Sequence, residues 1–511
     1  MATTLGFKDI IDQPLWRPAS PLPVATAAGG CIVYDKRNNI RNAPLNYYLS
    51  SATGLQAYSP YNDEWLTLAS PALTGTFGAG ANAVFHPTQG PRGTLAAGAT
   101  TTVVTLSTAL PAAVGVNQLA NAGAGSGFYV TIIGNAAGSS GKTETRRVIA
   151  NTAGTTPQLV LDSALSFTPV LGDAYEFRSG RVFMLSAGTL AAGMWKYYDC
   201  LTNSFSGNLT TTNLPATVGG DSQLVALSEG HIPASANVGE GFLGVITATA
   251  SSSTTITASG LSAALTANEY RNFQVRITED TTTPTAAGQR RRISSHTSGA
   301  TAVFTVAAFA VTPSATAKFV IENDDDKIVL FTNQTAVYNY NITANTWDTT
   351  TWAAAAAAGS TGLVCEQSFA IDVDPAVRNA RHSFIYRVRG GNVNTIDVFD
   401  IAGAATGAWT ANIDYGKKAT TFTAGTCGAY DSVTNSGRWL YLQVNGTQRF
   451  MRFDMLTRNL EPWANLRYPQ GTATVGAKMH MAFFFDGATR LGFLFSARQT
   501  GTEQFAIALQ R

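Results

Sequence analysis

Along the chain, short apolar or alternating runs are broken by polar turns, and the breaks recur. One pattern appears six times: an aromatic closing an apolar stretch, a polar turn, then a second aromatic. Three copies space the two aromatics by seven residues: Tyr58 to Trp65, Tyr198 to Phe205 and Tyr340 to Trp347. Three space them by ten: Phe399 to Trp409, Phe453 to Trp463 and Phe495 to Phe505. The residues before the first aromatic alternate or run apolar, as in Thr395–Phe399 and Arg449–Phe453, and the turns carry Asn, Asp, Gly, Ser or Thr. Such stretches read as β-hairpins. A large ring at the same point of every hairpin can pack between sheets arranged radially. The pattern therefore predicts an all-β protein, a six-bladed β-propeller with these residues as its blade-packing aromatics.

The spacing adds a second feature. The late intervals between first aromatics are 59, 54 and 42 residues, close to the roughly 40–50 of one blade. The early intervals are 140 and 142, about 90 too long for a blade. Two segments are therefore inserted, and they resemble each other. Gly127–Ile132 matches Asn272–Ile277, Arg146–Val148 matches Arg291–Ile293, and Leu159–Leu161 matches Phe304–Val306, all at an offset of 145. Thr101–Thr105 and Ser253–Thr257 read as the same entering strand, Tyr175–Phe177 and Lys318–Ile321 as the same exit strand. Each insert is expected to be a small β-rich domain of short antiparallel strands. The expected organisation is an N-terminal arm over 1–30, a propeller over 31–86, 181–232 and 326–511, and β-rich inserts over 87–180 and 233–325.

Residues 1–30 break the pattern. Phe7–Ile11 fits one helical turn, and Pro14, Pro18, Pro21 and Pro23 preclude regular structure after it. Leu15 and Trp16 are expected to be exposed. The proline-rich arm has two open roles: packing on its own propeller, or docking on a neighbouring subunit. No basic stretch followed by an apolar core opens the chain, so a secretory leader is not expected. No run approaches 18 apolar residues, and Ala353–Ala358 is too short to span a bilayer. A soluble protein made in a cytoplasm, without membrane insertion, is the expectation.

Composition changes the picture in one respect. Hydrophobic residues are 45% of the 511, enough to build the cores of two to four domains. Charged residues are only 13%, about half the usual share. The net charge of +2 gives no global field for nucleic acid or anionic membrane. A charge-poor, Thr-rich surface suits a chain packed against neighbours, and also a stable extracellular β-protein.

Candidate chemistry is sparse. Cys31, Cys200, Cys365 and Cys427 are far apart and read as buried small hydrophobes rather than a disulfide or zinc framework. His86, His231, His296, His382 and His480 show no metal-ligand spacing. Asn323–Asp326 could offer carboxylates to Ca²⁺, but no Gly-punctuated acidic loop surrounds it, and a solvated turn is expected. Asp372 and Asp374 read as a loop before Pro375. Arg290–Arg292 and its counterpart Arg146–Arg147 lie on strands, where neighbours point to opposite faces, so a fold or interface role is expected over a nucleic-acid patch. Gly134–Lys142 is Gly-rich and ends in Lys, but lacks the spacing of a phosphate loop. No catalytic residue, cofactor or metal is expected.

The hairpins resemble Kelch-like propeller blades. Tyr198-Asp199, Phe399-Asp400 and Phe453-Asp454 match the aromatic–Asp pair of that family, and Trp65, Trp347, Trp409 and Trp463 match its Trp. The double Gly of a standard Kelch strand is missing, so Kelch partner binding is not carried over, and no Tyr/His/Cys copper set can be assembled. The whole chain also resembles tailed-bacteriophage virion proteins, through Pro71–Gly80, the Phe128–Ile132, Arg146-Arg147 and Tyr175–Phe177 strand pattern, and the Ala/Thr/Gly-rich background. The resemblance is to the tail nozzle or hub proteins of short-tailed phages. It implies a non-enzymatic virion component, a homo-oligomer, commonly a hexamer, around the DNA exit channel. Implied partners are adaptor or fibre proteins of the tail, with DNA passing through unread. The alternative expectation is a carbohydrate- or receptor-binding protein on a virion surface, with Tyr47, Tyr48 and Trp195 stacking on sugars.

Overall fold

A computed structural model describes residues 17–25, 30–34, 45–51, 53–60, 63–68, 70–75, 78, 80–110, 114–120, 128–220, 222–227, 242–261, 264–360, 363–369, 383–413, 421–423, 425–431, 438–444, 449–455, 457–463, 482–486, 491–497, 502 and 504–509. The chain is all-β: apart from the single 3-10 turn Pro284–Ala286, the regular elements among the described residues are strands.

Six four-stranded antiparallel sheets account for most of these strands, among the described residues. The first holds Cys31–Tyr34, Asn46–Ser51, Gly54–Ser59 and Glu64–Thr67. The second holds Asn82–His86, Arg181–Leu185, Trp195–Asp199 and Ser204–Phe205. The third holds Gln223–Leu227, Lys327–Phe331, Tyr338–Asn341 and Thr346–Asp348. The fourth and fifth run from Val364–Phe369 to Ala408–Thr410 and from Cys427–Tyr430 to Asn459–Pro462. The sixth holds Ala482–Asp486, Leu491–Ala497, Gln504–Leu509 and, from the other end of the chain, Arg17–Ala19. The first strand of each sheet touches the first strands of the sheets before and after it, and the sixth touches the first, so the order closes. The arrangement is propeller-like.

Burial follows from this layout. Strands covered on both faces read as continuous buried runs, as in Gln223–Leu227, Lys327–Phe331 and Trp439–Gln443. Edge strands are short and more polar, as in Asn459–Pro462. The apolar clusters lie between successive sheets rather than inside one core. Tyr47 and Ala83 join the first and second, Trp195 and Leu330 the second and third, Phe331 and Ile385 the third and fourth, Tyr386 and Phe453 the fourth and fifth. Tyr48, Tyr441 and Leu494 share the cluster that joins the first, fifth and sixth.

The N-terminal segment differs from expectation. Arg17–Ala19 is a strand despite Pro18, paired with Gln504–Leu509 in the register Arg17 to Ala506 and Pro18 to Phe505. Proline lacks an N–H but is tolerated on an outer edge, where one side of the strand needs no partner. Leu22 follows into the core at 2% exposure, and its amide bonds the Thr502 carbonyl. Leu15, Trp16 and the Phe7–Ile11 turn lie outside the described residues.

Candidate functional site at the junction of the two inserted segments

The hairpin aromatics do much of the packing. Tyr58 pairs with Trp65, Tyr198 with Phe205, Tyr340 with Trp347 and Phe399 with Trp409 in strand register. Their ring centroids are 5.0, 5.2, 4.9 and 4.8 Å apart. The last two sheets depart from the sequence expectation. Phe453 lies opposite Leu460, while Trp463 donates its amide to Phe450 and stacks near Tyr441 and Phe450. Phe495 lies opposite Ala506, and Phe505 opposite both Ser496 and Pro18. That hairpin joins the second and third strands of its sheet, because Arg17–Ala19 supplies the fourth.

A second device in these hairpins escaped the sequence reading. Tyr58 Oη donates to Asp63, Tyr198 Oη to Asn203 and Tyr340 Oη to Asn345, each five residues on, at 2.6, 2.7 and 2.8 Å. Each acceptor sits in the left-handed region, with φ of 53, 48 and 52°, which Asn and Asp tolerate better than most residues. The signal was present: Asp or Asn stands five residues after every Tyr that opens a hairpin, and not after Phe399 or Phe453. The indoles also reach back, Trp347 Nε1 to the Thr210 carbonyl and Trp409 Nε1 to that of Ala353. They tie each outer strand to the linker that precedes its sheet.

Two segments leave the ring between the first and second strands of the second and third sheets, hence from the same face of it. Their strand orders match. Strands Arg92–Thr94, Ala174–Phe177, Tyr129–Ile133, Thr143–Asn151, Gln158–Leu161 and Val103–Thr105 form one six-stranded sheet, with a bridge from Leu95 to Leu106 joining its edges. Strands Ile246–Ser251, Lys318–Glu322, Gln274–Glu279, Arg290–His296, Ala302–Val306 and Thr255–Ala258 follow in the same order as a closed barrel.

The repeated arginine acts identically in both. Arg146 caps the Ala164 and Thr145 carbonyls and reaches Glu144; Arg291 caps the Ala308 and Arg290 carbonyls and reaches Gln289. These guanidiniums close their own segment, the fold role expected of them.

The neighbouring positions have diverged. Thr131 and Thr145 are a cross-strand pair bonded through their hydroxyls at 2.9 Å. The matching pair in the second segment is Arg276 opposite Arg290. Like charges directly opposite are unfavourable, and two glutamates offset them. Glu322 receives Arg276 Nε at 3.1 Å. Glu176, from the first segment, receives Arg290 Nη2 at 2.7 Å, and Arg178 Nε at 3.2 Å. Arg178 Nη2 in turn lies 3.9 Å from Glu322. Arg92 reaches the rim, 3.9 Å from Glu176. Burial opposes the charge on Glu176, but Arg290, Arg178 and Arg92 outweigh it and hold its carboxyl well below the usual range.

The acidic run beside this cluster is buried, not a solvated turn. Asp325 accepts from Gln274 Nε2 at 2.8 Å, and its carbonyl accepts from Gln89. Burial works against its charge, yet Arg290, Arg178 and Arg92 bring it to about 2. Asp326 accepts from the Thr343 amide and hydroxyl. Asp324 is pushed up by burial to about 6, against Lys327 and Arg292. Arg292 lies 5.0 Å from the Trp352 ring and donates to Asn272, whose amide donates to the Ile401 and Ala404 carbonyls. Three consecutive aspartates thus face three surroundings, at the point where the second segment rejoins the ring.

Other candidates are placed plainly. His86 bonds Thr88, and His296 sits between the Tyr270 amide and the Thr297 carbonyl. His231, His382, His480, Asp372 and Asp374 lie outside the described residues. All four cysteines are buried and unbridged. Tyr47, Tyr48 and Trp195 are fully buried, which removes them as sugar platforms. Among the described residues no group of three His, Cys, Asp or Glu could hold a metal ion, and no helix is long and apolar enough to cross a membrane.

No family model matches the chain, and no curated protein does. Among solved structures, a structural-genomics protein of unknown function from Bacteroides thetaiotaomicron aligns over 49% of this chain and 66% of its own, just under two thirds, at 9% identity and a TM-score of 0.23. A luciferin-regenerating enzyme aligns over 97% of this chain and 95% of its own, at 8% identity and a TM-score of 0.32. At such scores neither likeness bears on fold or activity, and function is read from the chain's own residues.

Proposed function

We propose that the chain is a six-bladed β-propeller carrying two duplicated β-rich domains, and that it is a non-enzymatic structural component of a phage virion. The observation that carries the structural role is the junction described above. The carboxylates of its strongest titratable constellation are engaged by arginines, within each insert and across the two, which favours a use of that chemistry for cohesion. The low charge and the resemblance to tail nozzle or hub proteins favour a place around the DNA exit channel, as a homo-oligomer such as a hexamer. Tail adaptor or fibre proteins are the proposed partners, and DNA passes without being read.

Mass spectrometry of purified particles combined with negative-stain imaging of the protein tests this. Rings of the purified chain and its presence in virion tails are expected. A persistent monomer absent from particles overturns the virion role. Glycan or receptor binding by such a monomer favours the surface-binding alternative, through residues other than Tyr47, Tyr48 and Trp195.

A further inference from the structure

The contact between the two inserts is reciprocal. At the offset of 145, Lys142 corresponds to Ala287, Gly134 to Glu279 and Asn135 to Asp280. Lys142 forms a backbone bridge with Glu279, and Asn135 donates to the Ala287 carbonyl. The loop of each copy thus meets the same loop of the other, as in a two-fold pair. The approach is close: Asp280 donates its amide to Gly141, and a Cβ on Gly141, at φ +71°, would stand 1.9 Å from the Asp280 carbonyl oxygen.

The charges on this pseudo-symmetric contact are not symmetric. By strand register, Glu176 holds the position of Val320 and Thr145 that of Arg290, and Arg178, the next residue after its strand, falls at that of Glu322. Within the second copy, Glu322 accepts Arg276 and lies 3.6 Å from Arg290, and the first copy supplies the second acid of the pair, Glu176, at 2.7 Å from Arg290. The second copy supplies Glu322 to Arg178. Each copy thus takes part of its charge compensation from the other, Arg290 from Glu176 and Arg178 from Glu322, and a buried charge short of a partner is strongly unfavourable.

We propose that the two inserts are one cooperative unit, in which the second insert holds its structure only while Glu176 of the first occupies its place beside Arg290. The ring would then carry a single rigid platform on one face rather than two independent arms. This inference does not depend on the virion reading, since it concerns the coupling of two segments of one chain.

Hydrogen exchange on the full chain tests it. In Glu176→Val, which installs the side chain found at the matching site of the second insert, amides of Gln274–Glu279 and Arg290–His296 should lose protection by roughly a hundredfold. Amides of the third and fifth sheets should keep theirs. The isosteric Glu176→Gln should show the same pattern more weakly, and serves if the valine variant does not fold. Adding Arg290→Thr, the residue at the matching site of the first insert, to Glu176→Val should recover most of the protection. The proposal is overturned if the loss stays within the first insert, if it spreads evenly over the sheets, or if the two substitutions simply add.

Discussion

Arg178, the residue just after Ala174–Phe177, falls where Glu322 stands in the other duplicated segment, carries the opposite charge, and lies 3.9 Å from it. Glu322 is also the acceptor of Arg276 and lies 3.6 Å from Arg290. Removing it leaves three guanidiniums short of one carboxylate in a buried site. Glu322→Gln should destabilise the protein by about 3–5 kcal/mol. By contrast, Glu461→Gln, which breaks a half-exposed pair with Arg452, should cost about 1 kcal/mol or less. Urea unfolding of both variants checks the contrast, and similar losses would contradict it.

Asp324 sets a pH dependence of known sign. Its folded value, about 6, lies above the ordinary carboxyl value, so burial favours the neutral form. Stability from this group is fully present below the unfolded value and is lost as pH rises through 6. Asp324→Asn should therefore match the wild type near pH 4 and exceed it at pH 8, by on the order of 2–3 kcal/mol. His296, lowered by burial, acts in the opposite sense but is present in both proteins and cancels in the difference. Denaturation curves at the two pH values give the answer. A gap that is constant with pH would remove Asp324 from the account.

A short strand and a buried side chain from the N-terminal segment add to the contact between the sixth and first sheets. Leu22→Ala should cost about 2–4 kcal/mol, since Leu22 is buried against the cluster that joins the first, fifth and sixth sheets. Deleting residues 1–22 should expose the edge of Gln504–Leu509 and promote self-association through it. Size-exclusion chromatography and thermal melts distinguish this from an inert tail, which would leave both unchanged.

The tyrosine device predicts a graded effect. Tyr340→Phe removes the bond to Asn345 and should cost about 1 kcal/mol. Asn345→Val removes the same bond and the one its side-chain oxygen accepts from the Thr210 amide, and also forces a β-branched residue to φ 52°, together adding about 1–3 kcal/mol. Equal losses from the two would show that the left-handed turn is not strained by valine.

The sequence by itself determined that the chain is all-β, where the hairpin turns fall, and that two segments are copies of one pattern. Alternation, turn residues and aromatic spacing are short-range signals, and each is written within about ten residues. The register of the last two hairpins was not local, because the fourth strand of the last sheet comes from Arg17–Ala19 at the opposite end of the chain. Burial of Tyr47, Tyr48 and Trp195 was equally hidden, since the neighbouring sheet decides which face of a strand meets solvent. Tertiary structure alone decided the partners of the charges. Arg290 and Glu176 are 114 residues apart, and an arginine on a strand reads the same whether it meets solvent, nucleic acid or a buried carboxylate. Only the docking of one copy on the other brings that carboxylate within 2.7 Å, and desolvation then makes the pairing obligatory.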